Sequence, residues 1–256
     1  MTSILNKIST KENAIAVLID PDKFESILDK YEFIHQLNDL EPEFIFVGGS
    51  MVAQEDFLKC IDFLKKHSSI SLVIFPGNFD QISHSADGIL LLSLLSSKNY
   101  EYIFGQHIKA SKTLEDSSIE IIPTAYLLID GGKTSAVQQV TQSIPLQQEE
   151  IEQSKKITLA AKQLGMKLVY LDAGSGALFT VNEKMIQVVS QCGLPLIVGG
   201  GVRDIRTIEK IHNAGANLVV IGNHLETENN FFLELKDYKK KLTIKKSLQT
   251  QIETFD

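Results

Sequence analysis

The chain has 256 residues, 43% of them hydrophobic, which is enough for one sizeable core in a single domain over 1–256. A formal net charge of −7 argues against nucleic-acid binding, and no apolar stretch reaches the roughly 18 residues that a membrane-spanning helix needs. Cys60 and Cys192 have no metal-ligand spacing, and the opening MTSILNKISTKEN lacks the order of a secretory signal, so the expectation is a reduced, cytoplasmic protein.

The first apolar run, AIAVLID at 14–20, ends in Asp20 and continues with Pro21, Asp22 and Lys23. FIFVGG at 44–49 runs into Ser50, and residues 56–66 then place Phe57, Ile61, Phe63 and Leu64 on one helical face. SLVIFPG at 71–77 and GILLLSL at 88–94 are separated by only ten residues, NFDQISHSAD. A crossover helix barely fits there, so the third helix is expected to be reduced or missing, leaving a side opening. IEIIPTAYLLID at 119–130 is followed by a long polar loop at 131–143, then by a helix over 147–164 with Gly165 as its C-cap. KLVYLDAG at 167–174 leads into Ser175 and Gly176. PLIVGGG at 195–201 precedes the apolar stripe of Ile205, Ile208 and Ile211, and LVVIGN at 218–223 is the last run. The six lysines of 236–246 read as a solvated helix face, with attraction to an anionic membrane surface, hence at most peripheral contact, as the alternative.

Nearly continuous apolar runs mark strands buried on both faces, and their alternation with helices implies βαβ crossovers. Eight such strands close most naturally into a TIM (β/α)8 barrel of the α/β class. Ligands in that fold bind at the C-terminal ends of the strands. Glycines there let backbone N–H groups approach a phosphate, and clusters follow strands six, seven and eight: Gly174 and Gly176, Gly199 to Gly201, and Gly222 with Asn223. The pattern points to a phosphate monoester site. Asp20 ends a buried strand next to Ser50 and suits Mg²⁺, which is usually held by one or two carboxylates plus substrate phosphates; helix capping is the competing role for Ser50 and Asp22. Asp172 sits among the glycines of YLDAGSG, where it could close a turn, hold a metal or move a proton. The histidines give little: His35, His67 and His212 fall in helical stretches expected to be exposed, His84 in the third connection, His107 in a helix-like region, and His224 after the last glycine turn.

LIDPDK, FVGGS, YLDAGSGA, LIVGGGVR and VIGN, in this order and at these distances, resemble the geranylgeranylglyceryl phosphate synthases, prenyltransferases related to the bacterial PcrB proteins. The resemblance spans about 14–223. It implies a TIM barrel that joins sn-glycerol 1-phosphate to an allylic prenyl diphosphate with Mg²⁺, releasing diphosphate and leaving an ether, in a homo-oligomer that is a dimer or a hexamer. Carried over by position, Asp20 and Ser50 match the magnesium residues. Tyr170, Leu171, Asp172, Ala173, Gly174, Ser175 and Gly176, with Gly200, Gly201, Gly222 and Asn223, match the glycerol phosphate site. Many archaeal members carry Glu at the position of Asp172. PcrB-type members carry Lys two residues before the strand-one aspartate, where this chain has Leu18. The chain therefore resembles the larger second group of the family, whose bacterial members are mostly Bacteroidetes-like.

In this reading Asp172 accepts or orients the proton of the attacking hydroxyl, and Tyr170 and Tyr126 are candidates to line the reacting centre, with core packing as the other role for Tyr126. Three rivals remain. A phosphoribosyl-type isomerase or cyclase would use acids ending strands one and five, Asp20 and Asp130. A flavin-binding barrel would use the same phosphate cradle, and a non-catalytic barrel would bind a phosphorylated ligand without turnover.

Overall fold

Alternation along the strands builds the molecule, whose computed structural model describes residues 3–24, 29–222, 225 and 229–253. Eight parallel strands close in sequence order: β1 (Ala14–Ile19), β2 (Phe44–Val47), β3 (Leu72–Ile74), β4 (Gly88–Leu94), β5 (Glu120–Leu128), β6 (Leu168–Asp172), β7 (Leu196–Gly199) and β8 (Leu218–Ile221). The ring shuts where Ala14 pairs with Leu218 and Ala16 with Val220. One set of alternate residues fills the barrel: Ala14, Ala16, Phe44, Phe46, Val73, Leu90, Tyr126, Leu168, Tyr170, Ile197, Leu218 and Val220. The other set, with Val17, Ile45, Leu127, Val169, Leu171, Val198 and Val219, packs outward under the helices. Small and large residues complement each other across the interior, as where Ala16 of β1 stands in register with Phe44 of β2.

Around the barrel run α1 (Ile4–Thr10), α2 (Pro21–Phe24), α3 (Lys30–Leu40), α4 (Gln54–His67), α5 (Gln106–Glu115), α6 (Ala136–Thr141), α7 (Ile151–Gln163), α8 (Glu183–Ser190), α9 (Ile205–Asn213) and α10 (Asn229–Glu253). A π-helical turn, Glu101–Gly105, leads into α5. None of the described helices is long and apolar enough to cross a membrane. Helix α1 had no signal beyond two isoleucines. Ile4 and Ile8 plug the N-terminal mouth of the barrel, and the Glu120 carboxylate accepts the orphan N–H groups of Ile4 and Leu5. Among the lysines of α10, Lys236 pairs with Asp39 at 2.9 Å and Lys239 with Glu43 at 3.3 Å, while Phe231, Phe232, Leu235 and Tyr238 are buried.

Two expected boundaries shift. Helix α7 begins at Ile151 rather than 147, because Leu146 is held extended beside β5, its N–H on the Leu128 carbonyl and its own carbonyl accepting from Asp130. It ends as expected at Gly165, with φ +86°: the Met166 N–H reaches the Ala161 carbonyl and the Gly165 N–H the Lys162 carbonyl. The polar loop at 131–143 contains a helix, α6, capped by the Ser135 hydroxyl accepting from the Gln138 N–H at 3.1 Å. Between β3 and β4 there is no helix at all: residues 75–87 are irregular, so of the expected outcomes, a reduced or a missing helix, the second holds.

His212 is a correction: it is helical but buried. Its Nε2 lies 3.1 Å from the Ala14 carbonyl oxygen and so must donate, which leaves the buried Nδ1 without a partner among the described residues. Burial pushes its pKa down to about 4, against the Ala14 carbonyl and Glu43, which pull it up. Between pH 6.5 and 4 the unfolded chain therefore binds the proton and the folded one does not. Stability is complete above pH 6.5 and about 3 kcal/mol is expected to be lost as pH falls through this window. Urea midpoints against pH should show that slope in the wild type and a flatter one in His212→Gln; equal slopes would assign the loss to other groups.

Candidate active site

The C-terminal ends of the strands surround one cavity of about 600 Å³. On β6 the inward residues that reach the cavity are Tyr170 and Asp172, and the register sets Leu128 of β5 and Gly199 of β7 on either side of Asp172. Asp172 is buried. Its Oδ2 accepts from the Tyr126 hydroxyl at 2.6 Å and its Oδ1 from the Gly174 N–H at 2.8 Å. Burial pushes the carboxyl above the usual range, while those two hydrogen bonds pull it back. Tyr126 is fully buried beside this acid and its hydroxyl is held well above its ordinary pKa, so it stays a donor. Core packing and a site role thus coincide in Tyr126. Tyr170 packs on Phe75 at 5.1 Å and Tyr126 at 5.6 Å between ring centroids. Its hydroxyl lies 2.5 Å from where a Cβ on Gly199 would stand, so the glycine is what admits the ring.

The loops after β6 and β7 are fitted to each other through glycines in the left-handed region: Gly174, Gly176, Gly200 and Gly201 have φ of +87°, +73°, +85° and +72°. A Cβ on Gly200 would come within 2.6 Å of the Gly174 nitrogen. Such backbone turns point N–H groups into a shared concavity, which is how protein nests hold anions. Gly174, Ser175, Gly176, Gly200, Gly201 and Gly222 all line the cavity. Leu171 and Ala173 do not: both belong to the outward-packed layer, and the Ala173 N–H is already given to the Gly199 carbonyl at 3.0 Å. Asn223 and His224 lie outside the described residues. Leu18 lines the cavity near Gly222.

Across the cavity stand Asp20, Asp22, Lys23 and Ser50. Asp20 Oδ1 is buried with no hydrogen-bond partner among the described residues, and Oδ2 is 3.3 Å from Lys23 Nζ. Gly49 passes directly over it, since a Cβ there would lie 2.8 Å from Oδ1. Asp22 is raised above its ordinary pKa by partial burial and by the charge of Asp20. An orphaned buried carboxylate oxygen, a second carboxylate nearby and a hydroxyl form a donor set suited to a hard divalent cation that completes its shell with phosphate oxygens. Among the described residues no three His, Cys, Asp or Glu side chains cluster as an all-protein metal site. The loop carrying Gly49 is fixed by Gln81, fully buried, whose Nε2 donates to the Gly49 carbonyl at 2.8 Å and whose Oε1 accepts from the Gly77 N–H at 3.0 Å. Nothing local in NFDQISHSAD singled out this residue.

The missing helix gives the cavity its other arm. With no helix over β3 and β4, the outer layer there opens into the site. Outer-layer Ile82, Ile89, Ala110 and Leu114 line the same cavity as inward-facing Phe75, Leu92 and Leu94. Tyr102 and Val137 extend this apolar wall. Of the histidines, His107 lines it, with Nε2 2.9 Å from the Leu92 carbonyl oxygen. Asp130, the strand-five acid that an isomerase would need, is absent from the lining; its Oδ1 accepts from the Gly132 N–H at 3.1 Å, closing a turn.

Residues 7–241 match the model of the PcrB family. The geranylgeranylglyceryl phosphate synthase of Zunongwangia profunda is 46% identical over 227 residues, covering 88% of this chain and 96% of the relative. That of Flavobacterium johnsoniae is 41% identical over 231 residues, covering 90% and 94%. Among solved structures, (S)-3-O-geranylgeranylglyceryl phosphate synthase from Thermoplasma acidophilum, in complex with sn-glycerol-1-phosphate, superposes with a TM-score of 0.83 at 31% identity, covering 92% of this chain and 96% of that one.

Proposed function

Because this chain belongs to the PcrB family, we propose that it is a prenyltransferase joining sn-glycerol 1-phosphate to an allylic prenyl diphosphate, of which geranylgeranyl diphosphate is the expected one. The observation that carries this reading is a single cavity with two unlike arms, a glycine cradle after β6 to β8 and an apolar channel over β3 to β5, with the buried Asp172 where they meet.

The cradle takes the phosphate on backbone N–H groups of Ser175, Gly176, Gly200 and Gly201, which orients the glycerol toward Asp172. The apolar arm takes the isoprenoid tail, and its walls keep water from capturing the allylic carbon as positive charge grows on C1. The C3 hydroxyl oxygen then bonds to C1, the C1–O bond to diphosphate breaks, and the hydroxyl proton passes to Asp172 Oδ2, which Tyr126 holds in place. Asp20, with Ser50, would hold Mg²⁺, which when bound neutralises the diphosphate leaving group. Tyr170 lines the reacting centre with Phe75.

The test is incubation with Mg²⁺, sn-glycerol 1-phosphate and a ladder of prenyl diphosphates, with product masses read by mass spectrometry. The expected result is a prenylglyceryl phosphate plus diphosphate, strongest with the C20 donor and absent with the glycerol 3-phosphate enantiomer. No ether product from any donor would overturn the reading.

A further inference from the structure

Lys133 is outside every role assigned above, yet the fold brings its ammonium beside Gly176 of the cradle. The loop after β5 is locked against the loop after β6 on both sides of this residue. Before it, a Cβ on Gly131 would lie 2.4 Å from the Ala173 carbonyl oxygen and 2.6 Å from Ala177 Cβ, and the Gly131 carbonyl accepts the Leu178 N–H at 2.7 Å. After it, Ser135 sits against Gly174, whose Cβ would come within 2.5 Å of Ser135 Cβ. Neither contact tolerates a larger residue, so the segment between them has little freedom to drift. The Lys133 ammonium lies 3.8 Å from the point that a Cβ on Gly176 would occupy; the side chain is exposed and stands beside the cradle, outside the residues that line the cavity.

Charge gives this placement a purpose. The backbone cradle offers dipoles and no net charge. A phosphate monoester brings nearly two negative charges at neutral pH, into a cavity that already holds Asp172 and Asp20. Arg203 also lines the site and gives one Nη2 donor to the Ala177 carbonyl at 2.8 Å, which holds the turn of the β6 loop and leaves its remaining donors and its charge to share the anion with Lys133. No carboxylate pairs with Lys133 among the described residues.

We propose that Lys133 is a cation that anchors the phosphate of the bound substrate, its ammonium closing over Gly176 onto the phosphate oxygens. The inference rests on the glycerol phosphate reading of the cradle and adds to it a side chain that sets affinity for this substrate alone. Lys133→Ala is expected to raise KM for sn-glycerol 1-phosphate about tenfold, the size of one lost charge-assisted hydrogen bond. kcat and KM for the prenyl diphosphate should stay within about twofold, because the tail and the proton acceptor are untouched. Lys133→Arg should restore most of the loss, and Lys133→Ala should flatten the salt dependence of binding. In parallel, calorimetric titration of wild type and Lys133→Ala with inorganic phosphate reads the anchor without turnover. Weaker phosphate binding in the variant supports the proposal. Equal binding, or a KM change that falls on the prenyl diphosphate instead, overturns it. A wild type that turns over nothing would sink the transferase reading, and the phosphate titration would still decide for or against Lys133.

Discussion

Asp172→Asn is expected to lower kcat by about 10²- to 10⁴-fold, the range typical for removing a positioned proton acceptor. The substitution is nearly isosteric. The amide oxygen can still accept one of the two hydrogen bonds that Asp172 takes from Tyr126 and Gly174, so loss of the fold is not the expected cause. KM for glycerol 1-phosphate should move little, because the groups proposed to hold the phosphate are untouched. The pH profile gives a second readout. Burial holds the Asp172 carboxyl above the usual range, so the acid limb of kcat/KM should lie above that of an ordinary aspartate. The Tyr126 hydroxyl favours the carboxylate, so Tyr126→Phe should shift that limb to still higher pH, losing activity first on the acid side. An Asp172→Asn enzyme within a few-fold of wild-type kcat would remove Asp172 from the proton-transfer role.

Asp20→Asn should raise the magnesium concentration for half-maximal activity by at least about tenfold, since even an outer-shell change commonly costs that much. kcat/KM for the prenyl diphosphate should fall with it, while KM for glycerol 1-phosphate holds. The reason is the buried Oδ1, without a hydrogen-bond partner among the described residues, beside a second carboxylate raised by partial burial and by the charge of Asp20. An unpaired buried carboxylate oxygen costs stability unless a cation completes it. The variant should therefore melt, metal-free, no lower than the wild type. A lowered melting temperature with an unchanged magnesium titration would make Asp20 a structural residue instead.

Much of the site was legible in one dimension because its constraints are local. Glycines needed for left-handed backbone at Gly174, Gly176, Gly200 and Gly201 announce themselves wherever they stand. A reduced or missing third helix followed from a connection of only ten residues. The errors have equally physical sources. Helix α1 is short and derives its stability from Ile4 and Ile8 in the barrel mouth and from Glu120, a residue more than a hundred positions away. Such a helix has little intrinsic signal. His212 was expected at the surface as part of an exposed helical stretch, but α9 turns it inward onto the Ala14 carbonyl. Leu171 and Ala173 came with their motif as a unit, and strand alternation sends both side chains into the outer layer, away from the cavity.

By itself the sequence determined a closed barrel of eight buried strands, the glycine-rich strand ends, and the two acids that line the cavity there, since strand periodicity and glycine conformation act within a few residues. Only the tertiary structure decided which side chains meet. Tyr126 reaches Asp172 from 46 residues away, Gln81 ties Gly49 to Gly77, and Lys133 stands beside Gly176. Those meetings depend on the stagger of neighbouring strands and on glycine-tight loop contacts, quantities that no single segment encodes. The same closure turned a short connection into an apolar channel, because a missing helix matters only once the outer layer it would have covered exists.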